Sequence, residues 1–183
     1  NLNQIGLLSI ILTTMGSIAE EKSKGIIHLV LSRSVNHWNI ILSKFTASAI
    51  LLAFSLFLGF LACGYGTFIL FKQILLQDAI IATLIYFVYA LFILSITLFA
   101  SAIARSTTIA AAISIGLFFF FSILSSIHPA LTNYTPGGLT NYIQLAIIHS
   151  IDYNSVSISL CITSVLSCLF LFAGNYIFSK QEI

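Results

Sequence analysis

Charge is what this sequence has least of: only 7% of its 183 residues are Asp, Glu, Lys or Arg. A chain so poor in charge, with 59% hydrophobic residues and a mean hydropathy of +1.09, lies outside the soluble globular range and belongs in a bilayer. The net charge of +2 is small, and no basic patch is interleaved with stacking aromatics, which excludes a nucleic-acid surface. Cysteine is scarce as well. Cys63, Cys161 and Cys168 all fall inside apolar runs, where a thiol behaves as a small hydrophobe, so they read as packing residues and build no disulfide framework. Cys161 and Cys168 share a helix face but have no neighbouring His or carboxylate to complete a metal site.

Catalytic motifs are missing too. No glycine-rich phosphate loop ending in Gly-Lys-Ser/Thr occurs, so the chain has no such route to binding and hydrolysing ATP. Neither Gly-x-Ser-x-Gly nor His-Glu-x-x-His is present. The interiors of the apolar runs hold no Asp, Glu, Lys or Arg, which argues against a proton- or ion-coupled transporter, where intramembrane ionisable residues mark the path.

What remains is apolar sequence long enough to cross a membrane several times. About 20 apolar residues span the hydrocarbon core, and five such runs are expected: 2–19, 45–70, 79–104, 109–127 and 156–178. Small residues four apart within them, Gly59, Ala62, Cys63 and Gly66 in one and Ala112 and Gly116 in another, predict close helix approach, because packing replaces the hydrophobic effect between helices in lipid. Residues 128–155 hold both prolines, the Gly137-Gly138 pair and three of the seven tyrosines. They predict a loop with short helices, in which 139–151 is apolar but too short to cross. A re-entrant or interfacial helix is expected there, with Tyr134, Tyr142 and Tyr153 as interface anchors.

Most of the charge is concentrated between Glu20 and Lys44. Two acids, Glu20 and Glu21, and four basic residues, Lys22, Lys24, Arg33 and Lys44, bracket a short apolar run, Ile26 to Leu31. At 100° per residue Ile27, Val30, Leu31, Trp38, Ile41 and Leu42 share one side, the pattern of an amphipathic helix at the water interface. Asn36 is placed to cap the helix that follows.

Counting Lys and Arg on the two sides of this five-span arrangement gives its orientation. Lys22, Lys24, Arg33, Lys44, Arg105 and Lys180 share one face and Lys72 alone lies on the other, so the first face is expected to be cytoplasmic, with the C-terminus inside. His28 and His37 then lie on the cytoplasmic side and His128 and His149 on the outer side, which precludes one metal site built from all four.

The residues of the charged stretch carry a resemblance. Glu21, Lys22, Gly25, Leu31, Ser32, Val35 and Lys44 match the cytoplasmic connector of type-2 ABC transporter permeases: Glu-basic-x-x-Gly-x-Ile/Leu, then Leu-Leu-Ser-x-Pro-Val, then Ile-x-x-x-Lys entering a span. The polar joint at Arg105-Ser106, the outer segment before the last span, and a tail from Phe178 to Ile183 similar to Phe-x-Lys/Arg-x-Glu-Ile extend the likeness along nearly the whole chain. Two departures stand out. Ser34 occupies the family's proline position, and the family has six spans, so this chain is expected to lack the first.

The resemblance implies an all-α integral membrane protein, a polytopic helical bundle with five of six spans. It carries a cytoplasmic coupling helix in 20–44 and a short extracellular helical segment in 128–155. It further implies a permease subunit that pairs with a second copy or a homologue and exports its substrate using a separate cytoplasmic ABC ATPase. ATP and Mg would be held by that partner and no cofactor by this chain. The residues implied for ATPase coupling are Glu20, Glu21, Lys22, Gly25, Ile27, Leu31 and Arg33, and Gly59, Gly66, Ala112 and Gly116 are expected to mediate helix packing or subunit contact.

Spans lined by apolar, aromatic and Ser/Thr groups suit a hydrophobic or amphipathic cargo such as a drug, lipid or membrane-active peptide. Two other classes remain open at this point. One is a membrane immunity protein that sequesters an antimicrobial compound without transport, and the other is an intramembrane enzyme using the outer histidines.

Overall fold

The structure, a computed structural model, describes residues 2–23, 37–71, 76–127, 135–147 and 153–180. Among them the chain forms seven α-helices and one 3-10 turn, with no strand: α1 (Leu2–Thr14), α2 (Gly16–Ser23), α3 (His37–Phe71), α4 (Leu76–Ile103), α5 (Thr107–Ile127), the 3-10 turn Pro136–Gly138, α6 (Leu139–Ile147) and α7 (Tyr153–Lys180). Four helices are long and apolar enough to cross a membrane, over Trp38–Ile69, Asp78–Ile103, Thr107–Ser125 and Asn154–Lys180.

α4 is the axis of the bundle. Every other helix packs on it, and its side chains from Phe92 to Leu98 are all buried. Ala90, Ala100 and Ala102 lie on its buried surface, and Ala104 just past its end is buried too; small residues there let neighbouring backbones approach, which is how helices gain packing energy in lipid. Gly174 of α7 answers them, since a β-carbon there would lie 3.4 Å from the Phe99 Cα.

Two apolar clusters fix the helix directions. Leu7 of α1, Ile85 and Phe92 of α4 and Val156 of α7 share one. Ile18 of α2, Leu98 and Ala102 of α4 and Phe178 of α7 share the other, together with Ile41 and Leu52 of α3. The stretch α1–α2 therefore runs parallel to α4 and α7, and α3 runs antiparallel to them. The phenylalanine run of α5 divides between core and surface. Phe118 is buried and Phe121 meets Phe92 edge-on at 5.3 Å, while Phe119 and Phe120 point outward.

Several expectations change. The run 2–19 is divided at Met15 between α1 and α2, neither of which reaches 18 residues. The helix expected to follow Asn36 starts there, at His37, and runs unbroken through the expected span 45–70 to Phe71. At about 1.5 Å per residue the 35 residues of α3 extend roughly 50 Å, well beyond a hydrocarbon core of about 30 Å. Residues 37–44 thus continue the spanning helix. Their expected common apolar face does not form, because Ile41 is buried while Leu42 points out. Trp38 stacks on Phe172 of α7 at 4.9 Å.

All three cysteines are exposed on the bundle surface and are not packed between helices of this chain. In a uniformly apolar helix a thiol is as acceptable to lipid as to a neighbouring helix, so its polarity does not decide its facing. Of the expected interface anchors, Tyr142 is instead buried in the core beside Leu139, and Tyr134 lies outside the described residues.

Residues 135–147 fold back over the bundle. Pro136, Gly137 and Gly138 are all buried, with Pro136 at the first helical position, where its fixed φ suits the turn and no amide hydrogen is needed. A β-carbon at Gly137 would meet Ser125 Oγ at 2.5 Å and the Phe121 carbonyl oxygen at 2.9 Å, so only glycine lets the turn settle on α5.

Candidate coupling site

The break between α1 and α2 is built by a side chain from α4. In a regular helix the Ala19 amide would donate to the Met15 carbonyl four residues back. Here the fully buried Ser101 hydroxyl stands between them. Its oxygen accepts from Ala19 N at 2.9 Å and from Ile18 N at 3.2 Å, and its proton goes to Met15 O at 2.9 Å. A side chain inserted into the backbone ladder is a recognised cause of helix breaks. The turn is satisfied on both sides of the hydroxyl, and Met15 N still donates to Ile11 O at 2.8 Å.

Ala19, Ala104 and Ala110, with Met15 against them, close the joint in a small apolar cluster. α2 is therefore held to the junction of α4 and α5 by methyl-sized contacts that admit close approach. Lys22 Nζ reaches the Ala102 carbonyl at 3.4 Å, a second tie to the end of α4. Glu21 forms an ion pair with Lys44 near the start of α3. Both partners are about one-third exposed, so this pair is worth at most about 1 kcal/mol. Its effect is positional: it clasps together two points that bracket residues 22–43.

Glu20, Glu21 and Lys22 are thus brought together at the end of α2. Gly25, Ile27, Leu31 and Arg33 lie outside the described residues. Gly59, Gly66 and Gly116 have nothing within 4 Å of where a β-carbon would sit, and Ala112 is exposed. Within this chain none of the four supports close helix approach.

Ser101 is the residue that reading the sequence missed. Its only trace is a hydroxyl four residues before Arg105 in a run that also holds Thr83, Ser95 and Thr97, a pattern that back-bonded serines in spanning helices share. The described basic residues Lys22, Lys44, Arg105 and Lys180 all sit at this end of the bundle, and Asp78 begins α4 at the other.

Comparison with known proteins places these features in a family. Residues 4–182 match the ABC-2 family transporter protein family. The chain is 28% identical over 152 residues to YxlG, an uncharacterized transmembrane protein of Bacillus subtilis (strain 168), an alignment covering 80% of this chain and 57% of that protein. The chain therefore spans a little over half the length of that relative. No solved structure matches. With the match running through α1 to α7 and across the Ser101 joint, the chain belongs to the ABC-2 family of transporter proteins.

Proposed function

We propose that this chain is the membrane-spanning permease subunit of an ATP-driven exporter of hydrophobic or amphipathic substrates. In this reading the end of the bundle carrying Lys22, Lys44, Arg105 and Lys180 faces the cytoplasm, as the distribution of basic residues favours. A separate ABC ATPase binds the segment that starts at Glu20, with ATP and Mg on that partner. A second copy or a homologue completes the transport unit in the cell membrane, and the C-terminus lies on the cytoplasmic side.

The observation that carries the proposal is the joint at Ser101, in a chain of this family. Transmission of ATPase movement to the spans requires the contact segment to be fastened to rigid helices. α2 has such a fastening to α4 through Ser101 and Lys22, and to α3 through the Glu21–Lys44 pair. Glu20, Glu21, Lys22, Gly25, Ile27, Leu31 and Arg33 are the residues assigned to coupling. Sequestration without transport gains no support from the family match.

The test is reconstitution of the full-length protein with a candidate partner ABC ATPase, sought among the products of the neighbouring genes. The expected result is ATP hydrolysis that depends on this chain and rises with an amphiphile, with movement of that amphiphile across the vesicle wall. An ATPase that neither binds the chain nor responds to it, or stimulation by an inorganic ion and by no amphiphile, would overturn the proposal.

A further inference from the structure

A cleft of about 530 Å³ opens between α1, α3 and α4, and its walls are sorted by polarity. α1 contributes Ser9, Thr13 and Thr14, α3 contributes Ser48 and Ser55, and α4 contributes Tyr86. Ser9 and Thr13 are four apart and Ser48 and Ser55 seven apart, so each pair lies along one face of its helix. Among the described residues no carboxylate, ammonium or guanidinium lines the cleft. Gly6 matters here: a β-carbon at that position would sit 2.6 Å from the Tyr86 hydroxyl, so glycine is what lets Tyr86 lie against the α1 backbone at the cleft wall.

The hydroxyls offer both hydrogen-bonding roles. Thr14 Oγ1 donates to Ile10 O at 2.7 Å, and Thr13 Oγ1 lies 2.9 Å from Ser9 O and 3.0 Å from Ile10 O. Their protons are used within α1 and their oxygens remain as acceptors. The Ser48, Ser55 and Tyr86 hydroxyls make no hydrogen bond with another described residue, which leaves them as donors. Donors and acceptors without a formal charge suit an uncharged polar head and suit an ion badly.

A second hollow of about 300 Å³ continues from the first. Leu56 lines both; the remainder is apolar apart from Thr83, with Phe57 and Phe60 of α3 facing Leu84 and Phe87 of α4. The hydroxyl-lined part lies nearer Lys44, since Ser48 is about one turn further along α3. The apolar part runs toward Ile80 near the opposite end of α4. With the Lys44 end cytoplasmic, the polar part sits in the inner half of the bilayer and the apolar part points toward its centre and beyond. That is the orientation of an amphiphile resident in the cytoplasmic leaflet.

We infer that this cleft binds an amphiphile with an uncharged, hydroxyl-bearing head from the cytoplasmic leaflet. The head lies among Ser48, Ser55 and Tyr86, and the hydrocarbon tail lies along the groove between α3 and α4. The inference rests on the proposed function for its orientation and deepens it by naming the substrate class and its site.

The experiment uses the full-length protein in phosphatidylcholine vesicles, without an ATPase, and a monoacylglycerol carrying a diazirine at the end of its chain. The expected result is saturable photolabelling of Phe57, Phe60 or Leu84. Unlabelled monoacylglycerol should displace it at least tenfold more effectively than a quaternary-ammonium amphiphile of equal chain length. Ser55→Phe, which fills the cleft, should lower labelling at least fivefold, whereas Ser164→Phe on the exposed side of α7 should leave it unchanged. Tyr86→Phe keeps the shape and removes one donor; it should weaken the monoacylglycerol about threefold and leave an alkane probe of the same length unaffected.

Labelling that does not saturate and spreads over exposed positions of α3 and α7 would overturn the inference. So would labelling indifferent to Ser55→Phe, or none in the groove because a further helix or a second copy covers it. Because labelling is read without the ATPase, it can succeed where export fails, and export can persist where labelling is lost.

Discussion

The Ser101 hydroxyl stands in the place of a backbone hydrogen bond between Ala19 and Met15, accepting from one at 2.9 Å and donating to the other at 2.9 Å. A single atom of α4 thereby determines where α1 ends and α2 begins. Removing it gives α2 an alternative, because the Ala19 amide can then close directly on the Met15 carbonyl and extend α1.

That alternative sets the expected result for Ser101→Ala. Interhelical hydrogen bonds in membranes average about 0.6 kcal/mol, so three of them are worth about 2 kcal/mol, and re-formation of the ladder recovers part of that. The variant should insert and assemble, lose about 1 kcal/mol or less in stability, and lose substrate-stimulated ATP hydrolysis in the complex with its ATPase. Spin labels on α2 and α5 should report a changed separation. Normal stimulation with an unchanged separation would show that the hydroxyl has no part in coupling. Ser101→Thr keeps the hydroxyl and should retain more coupling than the alanine variant, with an overpacking cost of about 1–3 kcal/mol.

The Glu21–Lys44 clasp predicts a different pattern. Either charge reversed alone, Glu21→Lys or Lys44→Glu, places like charges in contact and should open the bracket around 22–43, weakening coupling while stability changes by at most about 1 kcal/mol. The double reversal should restore much of the coupling. The double-mutant cycle on substrate-stimulated hydrolysis isolates the pair; no restoration, with both single variants defective, would mean that each residue acts on the partner ATPase separately.

The long apolar helices are legible in the sequence because run length and the polar joints at Lys44, Asp78 and Arg105 mark them. Which face of each helix is buried is not legible there. When nearly every position is apolar, hydrophobicity carries almost no directional signal, so small residues four apart in α3, Gly59 with Cys63 and Ala62 with Gly66, point to contact as readily as Gly137 does. Only the structure shows that Gly137 and Gly174 are against neighbours and Gly59 is not. The break at Met15 is invisible for a related reason: its cause lies 86 residues away in Ser101. The triplet Glu20, Glu21 and Lys22 was readable as a unit because charge is so rare in this chain.

Gly137 and Gly116 therefore make opposite predictions under the same substitution. Gly137→Ala must displace the turn from Ser125 and the Phe121 carbonyl, and should cost about 1–3 kcal/mol as overpacking does, measured as reduced resistance of the purified protein to heat. Gly116→Ala adds a methyl to open space and should leave the isolated chain unchanged within about 0.5 kcal/mol. Equal effects would contradict the described seat of the 3-10 turn on α5.

The open glycines of α3 bear on assembly. Gly59, Cys63 and Gly66 recur at helical spacing, and Cys63 is exposed, so if this face meets a second copy, two Cys63 thiols come close across the contact. A disulfide forms only when the two Cα atoms are within about 7 Å, which makes oxidation a short ruler. Cys161 and Cys168 are also exposed and are replaced by serine to leave one reporter. Mild oxidation in native membranes should then give a covalent dimer that a reductant reverses. Gly59→Leu, which forces the helices apart, should reduce its yield severalfold without changing the amount of inserted protein. A monomer under all conditions would assign this face of α3 to lipid or to a different subunit, and the contact between two copies of this chain would have to lie elsewhere, with Ala112 and Gly116 of α5 the next face to test.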